Sequence, residues 1–298
     1  MHGRTPIIKD KNFDAIIVPG DVCDDRGIKP YSKNWGAHIK EARKKWEKEL
    51  KFDDYLISKI GRKKLNYLEQ ESLKGGRKIM EFLNSFGKPV LFTPGNWDKS
   101  YGPSRIKDPD KSVDNYLKMF HDFYLSRKSN PKLIKGLKNV YDCQYHLHKF
   151  QEFNVLGYGL SSAPESPFLR VKFKFDSKQK KRLNISYKRL LSPLSKEYNK
   201  RNKKIPTIFV SHNIPYNTKL DIILDKKSYA YKKHLGSSVA RWFCEKKQPL
   251  VCIGGHIHDF HAKDKIGNTI VINAGYGPKV NTYFDIENGK LKNLNFNS

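Results

Sequence analysis

Four short apolar runs, each closing on residues that bind hard or borderline metal ions, constrain this chain more than any other feature. They are Ala15-Ile16-Ile17-Val18 before Gly20-Asp21, Pro89-Val90-Leu91-Phe92 before Gly95-Asn96-Trp97-Asp98, Thr207-Ile208-Phe209-Val210 before Ser211-His212, and Leu250-Val251-Cys252-Ile253 before Gly255-His256-Ile257-His258. Short runs of Val, Ile, Leu and Phe bounded by Pro, Gly or Asn have the pattern of buried strands, a reading that rests on length and β-branching more than on periodicity. In open α/β sheets, ligands collect in the crevice beyond the carboxyl ends of the strands, and all four clusters lie at such ends. A carboxylate, an amide and three imidazoles, with no cysteine sulfur required, suit Mn, Fe, Zn or Ni. They exceed the needs of one catalytic zinc. Two ions ~3.5–4 Å apart, sharing a carboxylate and a hydroxide, would use them all, as in two-metal phosphate hydrolysis.

Taken in order, these residues resemble the calcineurin-like metallophosphoesterases, whose signature runs D-x-H, G-D, G-N-H-D, a lone His after a strand, and G-H-x-H. The resemblance spans Gly20 to His258. A closer one is to the Icc-related predicted phosphoesterases. It is carried by Gly157-Tyr158-Gly159 through Pro167-Phe168, by Ser211-His212 followed by Lys219-Leu220-Asp221, and by Gly236-Ser237 before Gln248-Pro249-Leu250. Asn273-Ala274-Gly275, following Gly254-Gly255-His256-Ile257-His258, adds the Asn-x-Gly common in that family. The implied fold is α/β: two mixed β-sheets packed as a sandwich with flanking helices, a four-layer αββα arrangement. The chain is expected to form a single domain over residues 1–298 with a basic insertion at about 170–204. The resemblance further implies that Asp21 bridges two divalent ions, that Asn96, His212 and His256 complete one site, and that His258 and His2 serve the other. His2 in Met1-His2-Gly3 looks like the His of D-x-H-G. Mn is the expected metal, with Fe, Zn or Ni as alternatives.

Two departures stand out. The Asp of D-x-H would fall one residue before Met1, and with it goes the first strand of the family, which is interior to its sheet. Losing an interior strand unpairs backbone and uncovers apolar faces at a cost of roughly several kcal/mol. The expectation is therefore a truncated chain with an internal Met taken as its start; the alternative is a naturally shortened, weak first metal site. The second departure is Trp97, standing where the family carries the His that protonates the leaving oxygen or steadies the phosphoryl group, a contribution of ~10²–10⁴ in rate. Indole cannot supply that proton, so good leaving groups are favoured unless another acid acts. His234 and His261 are the substitutes near the motifs, with ordinary surface or capping roles as the alternative. Asp98, without its His, is expected to bond backbone. Gly20-Asp21-Val22-Cys23-Asp24-Asp25-Arg26-Gly27 resembles G-D-x-x-D-R-G with an additional Asp, so Asp24 and Asp25 either brace the loop or meet substrate. Cys23 reads as a packing residue.

Apolar spacing predicts helices over 37–51, 65–86, 113–127 and 228–247. Strands are predicted at 140–147, 152–158, 269–273 and 281–286, making a second sheet and its closing hairpin. Cysteines 23, 143, 244 and 252 lack a C-x-x-C spacing, which argues against a zinc knuckle or disulfide framework and fits a reducing cytoplasm. No apolar stretch approaches the ~18–20 residues of a membrane span, and no signal-peptide core is present at the N-terminus. Asn184-Ile185-Ser186 spells a glycosylation sequon by chance.

The formal net charge is +28. It should draw polyanions and speed association with phosphate-bearing substrates. Arg170 to Lys204 holds fourteen Lys or Arg against Asp176 and Glu197. Leu183, Tyr187, Leu190, Leu191 and Leu194 give this segment an apolar side, and Ser192-Pro193 reads as the cap and first turn of a second helix. Such a helix binds nucleic acid or an anionic membrane surface, or it docks its apolar side on the sheet and leaves Lys outward. Only 12 of the 58 basic residues are Arg, the better base reader, which weakens a sequence-specific DNA reading. P-loop, G-x-S-x-G and Rossmann fingerprints are absent. Two functions follow. The first is a metal-dependent phosphoesterase acting on a phosphodiester or nucleotide-like ester. The alternative is a catalytically weakened scaffold binding a protein or polyanion partner, as the phosphoesterase-like subunit of retromer shows within the wider family.

Overall fold

The computed structural model describes residues 1–38, 49–98, 105–107, 113–125, 130–170, 175–226, 228, 230–259 and 261–297. The strands are β1 (Ile16–Val18), β2 (Glu49–Lys51), β3 (Val90–Phe92), β4 (Arg105–Lys107), β5 (Val140–Asp142), β6 (His148–Lys149), β7 (Asn154–Tyr158), β8 (Thr207–Asn213), β9 (Val251–Gly255), β10 (Ala262–Ile266), β11 (Thr269–Asn273), β12 (Asn281–Glu287) and β13 (Lys290–Asn297). The helices are α1 (Lys29–Ser32), α2 (Phe52–Ile60), α3 (Arg62–Asn84), α4 (Val113–Phe120), α5 (Pro167–Arg170), α6 (Ser177–Asn199) and α7 (Ser238–Lys247). Strands β1, β3 and β5 form a three-stranded parallel sheet in the order β1-β3-β5, and a six-stranded mixed sheet has the order β10-β11-β9-β8-β7-β6. The hairpin β12–β13 and the pair β2–β4 stand as two-stranded ribbons.

The runs in β3, β8 and β9 are buried on both faces, which explains why they are continuous rather than alternating, whereas in β1 only Val18 is fully buried. Leu91, Val155, Ile208, Val210, Val251 and Ile253 point between the two sheets, where Phe284, Ile286, Leu291, Leu294 and Phe296 of the hairpin also pack. Their neighbours Val18, Val90 and Phe92 point outward onto Ile79, Met80 and Leu83 of α3. On the far side, Leu156, Tyr158, Phe209 and Cys252 point outward onto α6 and α7. Helix, sheet, sheet and helix therefore stack in four layers, as the resemblance implies.

Several local expectations need correction. Among the described residues of 228–247, only Ser238–Lys247 are helical, because Ser237 caps the helix by accepting the Ala240 amide. Just before it, Gly236 sits so close to the Ile214 carbonyl and Asp221 that a side chain would collide with both. Of 140–147 only Val140–Asp142 is a strand, and it pairs with β3 in the first sheet instead of joining the second. The chain then turns, with Asp142 Oδ1 accepting the Gln144 amide at 2.9 Å and Tyr145 at φ 56°. Residues 39–48 of the expected helix 37–51 lie outside the described residues, and its end, Glu49–Lys51, is strand. Helix α4 gives way to a π-helical turn over His121–Leu125, and 126–127 lie outside the described residues.

The basic segment also differs from expectation, forming one helix that continues through Pro193. An interior proline costs about 3 kcal/mol. However, Leu183, Leu190, Leu191, Leu194 and Tyr198 are buried on both sides of it, and burial of each large apolar side chain contributes roughly 1.5–3 kcal/mol. A capping box between Asp176 and Gln179 starts the helix. Its apolar side docks on the sheet, and Lys180, Lys181, Lys188 and Lys196 face solvent.

Among the described residues, β1 pairs with β3 alone and β12 with β13 alone. A cavity of about 500 Å³ runs between them, lined by Ile17, Phe284 and Ile286 and reaching Asp21, His212 and His256.

Candidate metal centre

The site begins with two glycines in contact. Gly20 leaves β1 at φ +92°, and a Cβ on it would stand 2.2 Å from the Gly95 amide nitrogen; one on Gly95 would stand 2.2 Å from Asp21 Oδ1. Only bare backbone lets the ends of β1 and β3 approach this closely. Asp98 then ties them together. It is fully buried, its Oδ1 accepts the Val22 and Cys23 amides, and its Oδ2 accepts the Gly95 amide, each at 2.9 Å. Burial, then the nearby Asp21 charge, pushes this carboxyl up, while the amides of Cys23 and Gly95 pull it down. The brace leaves Asp21 at φ 54° with Oδ1 accepting the Trp97 amide at 2.9 Å.

His212 comes from the end of β8. Its Nδ1 is 2.7 Å from the Pro19 carbonyl oxygen. A carbonyl only accepts, so Nδ1 carries the proton and Nε2 presents a lone pair. That lone pair meets Asn96 Oδ1 at 2.9 Å, His256 Nδ1 at 3.2 Å and Asp21 Oδ2 at 3.5 Å. One ligand atom from each of Asp21, His212 and His256 lies within 4.8 Å of the others. Burial alone would raise the Asp21 carboxyl, but the imidazoles of His212, His2 and His256 and the Trp97 amide hold it down to about 2. Desolvation and then the neighbouring His212 lower His256 to about 3, so its ring is neutral at pH 7. Lone pairs converging on one point beside an anionic carboxylate repel one another unless a cation sits among them. The donor set fits a divalent ion.

His2 lies on the other side of Asp21. Its Nε2 is 3.6 Å from Asp21 Oδ2, and its Nδ1 is 3.6 Å from Asp25 Oδ2 without a hydrogen-bond partner. Burial, outweighing the pull of Asp21, lowers its pKa to about 4. The His258 ring meets that of His2 edge-on at 5.2 Å and lies 5.0 Å from Tyr276. Asn273 holds the intervening turn by donating from Nδ2 to the Ile257 carbonyl at 2.8 Å. The structure thus brings Asp21, Asn96, His212 and His256 into one cluster and sets His2 and His258 together beside it.

Asp98 bonds backbone, as anticipated. Asp24 pairs with Arg26, whereas Asp25 is buried, accepts Arg4 at 2.9 Å and Lys29 at 3.2 Å, and faces His2. The loop-bracing alternative describes Asp24; Asp25 belongs to the surroundings of the site. The Trp97 side chain packs against two apolar clusters, one under α3 and one with α1 and α2, and lies 6.3 Å from the His2 ring. His234 Nδ1 is bound to Asp221 at 2.6 Å and His261 lies against Phe296, so neither contact involves the cluster. All four cysteines are buried and free. Sequence reading missed Tyr276 and the Ser162 backbone that hydrogen-bonds the His256 ring. Tyr276 directly follows Asn273-Ala274-Gly275 and was open to notice, whereas a backbone carbonyl leaves no mark in a sequence.

A family model described as calcineurin-like phosphoesterase matches residues 5–260. An uncharacterized protein of Methanocaldococcus jannaschii is 43% identical over 86 residues, which are 28% of this chain and 35% of that protein. The chain thus matches about a third of the length of this relative. One solved crystal structure superposes with a TM-score of 0.50 at 15% identity, covering 95% of this chain and 87% of the other, a likeness of fold. Phosphopantetheinyl hydrolase from Mycobacterium tuberculosis is more distant, with a TM-score of 0.35 at 11% identity over 67% of this chain and 75% of that one.

Proposed function

This chain belongs to the calcineurin-like phosphoesterase family, and from that premise we propose that it hydrolyses a phosphodiester or nucleotide-like phosphate ester at a dinuclear metal centre. The observation that carries the reading is the meeting of Asn96 Oδ1, His256 Nδ1 and Asp21 Oδ2 around a His212 nitrogen whose proton lies on its far side. In this reading Asp21 would serve both ions, Asn96, His212 and His256 would hold one, and His2 and His258 would hold the other. Oxygen and imidazole donors without thiolate favour Mn, with Fe, Zn or Ni as alternatives. Bound ions would supply Lewis-acid polarisation of a phosphoryl oxygen and an attacking water of lowered pKa.

The chain's own groups do the rest. The Pro19 carbonyl fixes the His212 tautomer, and the Ser162 backbone orients His256. Trp97, in place of an imidazole, offers no titratable proton to a departing oxygen, so substrates whose leaving group is itself acidic, aryl or nucleotide esters, are favoured. The charge of +28, including the solvent-facing lysines of α6, steers polyanionic substrates or nucleic acid toward the protein. We read residues 1–298 as a single domain in which about 170–204 is an insertion. Unpaired cysteines support a cytoplasmic setting. Among the described residues no helix is long and apolar enough to cross a membrane.

Hydrolysis of an aryl phosphodiester and its matching monoester, with the protein supplied with Mn²⁺ beside an Asp21→Ala control, tests the proposal. Diester turnover lost in the control is the expected result. Silence on both esters with Mn²⁺ bound would overturn it and favour the competing reading, a scaffold in which Trp97 serves packing alone. Its indole, fitted to two apolar clusters, is the observation behind that second reading.

A further inference from the structure

Glu165 is fully buried, and nothing in the hydrolytic scheme uses it. Its Oε1 accepts the hydroxyls of Ser161, Ser237 at 2.9 Å and Tyr158 at 3.3 Å, and its Oε2 accepts Ser238 Oγ at 3.0 Å and the Val239 amide at 3.1 Å. Ser238 Oγ in turn accepts the Glu165 and Ser166 amides at 3.1 and 2.8 Å and the Tyr187 hydroxyl at 3.2 Å. An uncompensated buried carboxylate is costly; here five donors and the N-terminus of α7 offset that cost. Such dense satisfaction makes a rigid node.

Two paths lead from this node to the metal centre. Along the first, Ser161 is bonded to Glu165, and the next residue, Ser162, holds the His256 ring through its backbone. Along the second, Ser237 is bonded to Glu165, while its amide donates to the Ile214 carbonyl at 2.7 Å and its carbonyl accepts the Tyr216 amide at 2.9 Å. Ile214 lies two residues beyond His212. One carboxylate thus fixes both the turn that orients His256 and the turn that follows His212.

We propose that Glu165 is a positioning residue of the metal centre, locking His212 and His256 into register through Ser161–Ser162 and Ser237. The inference rests on the reading of His256 as a metal ligand. Groups that orient ligands typically cost about 10–100-fold in metal affinity when removed, because the ligand must then be ordered at the expense of binding.

The test is calorimetric titration of Mn²⁺ into the full chain carrying Glu165→Gln, Ser161→Ala, His256→Ala or Leu194→Ala. Glutamine keeps the shape but turns an NH₂ against hydrogen-bond donors, and should weaken Mn²⁺ binding about 10–100-fold. Ser161→Ala removes one donor and leaves the core intact; it should weaken binding by about tenfold, and it carries the test if Glu165→Gln fails to fold. Leu194→Ala, a core truncation on α6, should lower the melting temperature with Mn²⁺ affinity unchanged, which separates positioning from general destabilisation. Wild-type affinity in both Glu165→Gln and Ser161→Ala, alongside loss of binding in His256→Ala, would overturn the role of Glu165 and leave the metal reading standing. Wild-type affinity in His256→Ala would overturn the metal reading itself.

Discussion

Removing the Asp98 carboxylate should unfasten the two loops that carry Asp21 and Asn96. In Asp98→Ala the amides of Val22, Cys23 and Gly95 lose their acceptor at 2.9 Å, in a place where Asp98 is wholly shielded from solvent. A buried donor without a partner costs about 1–3 kcal/mol, so three amount to roughly 3–9 kcal/mol. Relief from burying the carboxylate beside Asp21 works in the opposite sense, as the upward push on its pKa indicates. A net loss of about 3–5 kcal/mol follows, a large share of the ~5–15 kcal/mol that holds a domain together. For a chain of 298 residues each kcal/mol shifts the melting temperature by about 2 °C, so a fall of about 6–10 °C is expected. Asp98→Asn discriminates further. Its carbonyl oxygen can keep both bonds made by Oδ1 and only its NH₂ opposes the Gly95 N–H, so about 1–2 kcal/mol is expected. Urea unfolding in chelator, read by circular dichroism, measures both variants. A loss below about 1 kcal/mol in Asp98→Ala would show that the three amides find other partners and would refute the brace.

Three further outcomes are expected. His2 at about 4 and His256 at about 3 lie below the free-histidine value of 6.5, so the unfolded chain binds more protons than the folded one at acid pH. Stability in chelator should be full above pH 6.5 and fall as pH drops toward 4, by up to about 1.4 kcal/mol per pH unit for each histidine; a flat series of urea midpoints from pH 7.5 to 4.5 would contradict this. Asp21, depressed to about 2, holds its contribution above about pH 4 and loses it only as pH falls on toward 2. Leu194→Ala should cost about 2–5 kcal/mol, while Lys188→Ala on the solvent side of α6 should stay within about 0.5 kcal/mol; equal effects in denaturant titrations would mean that the helix is not docked by its apolar side. Trp97→His should raise turnover of alkyl esters, by up to the ~10²–10⁴ of a general acid, and no gain at unchanged metal content would tell against the leaving-group argument.

What the sequence made legible is mostly local. Apolar runs and the residues following them identify β1, β3, β8 and β9 and the groups at their ends, since Asp21, Asn96, His212 and His256 lie within the strand or no more than four residues beyond it. Sheet membership is not local. Val140–Asp142 has the same alternation whether it extends the first sheet or the second, and its pairing with β3 depends on residues fifty positions earlier. The start of α7 is not legible in apolar spacing, which runs on through 228–237, because the cap at Ser237 and the crowding of Gly236 against Ile214 decide it. Pro193 marks a boundary by the rule for isolated helices, and the buried side chains on either side of it outweigh that rule.

Backbone conformation shows why His2 sits where it does. His2, Asp21 and His256 have φ of 51°, 54° and 67°, the left-handed region that non-glycine residues seldom adopt. Such residues persist where surrounding contacts over-determine them, and at functional sites the arrangement serves pre-organisation. For Asp21 those contacts are the touching glycines and the Asp98 brace; for His256 they are Ser162 and the Asn273 tether. His2 is held differently. Its amide donates to the Asp21 carbonyl at 2.6 Å and that of Gly3 to Val22 at 2.9 Å, so residues 1–3 run beside the loop beyond β1 instead of along the strand. These two backbone bonds, the Arg4 guanidinium donating to the His2 carbonyl at 2.8 Å and the flanking carboxylates of Asp21 and Asp25 place this imidazole, where Asp21, Asn96, His212 and His256 are set by strand ends. On the proposed reading of two ions, the half around His2 rests on a segment outside the sheets and not on a strand end, and metal affinity should be the weaker there.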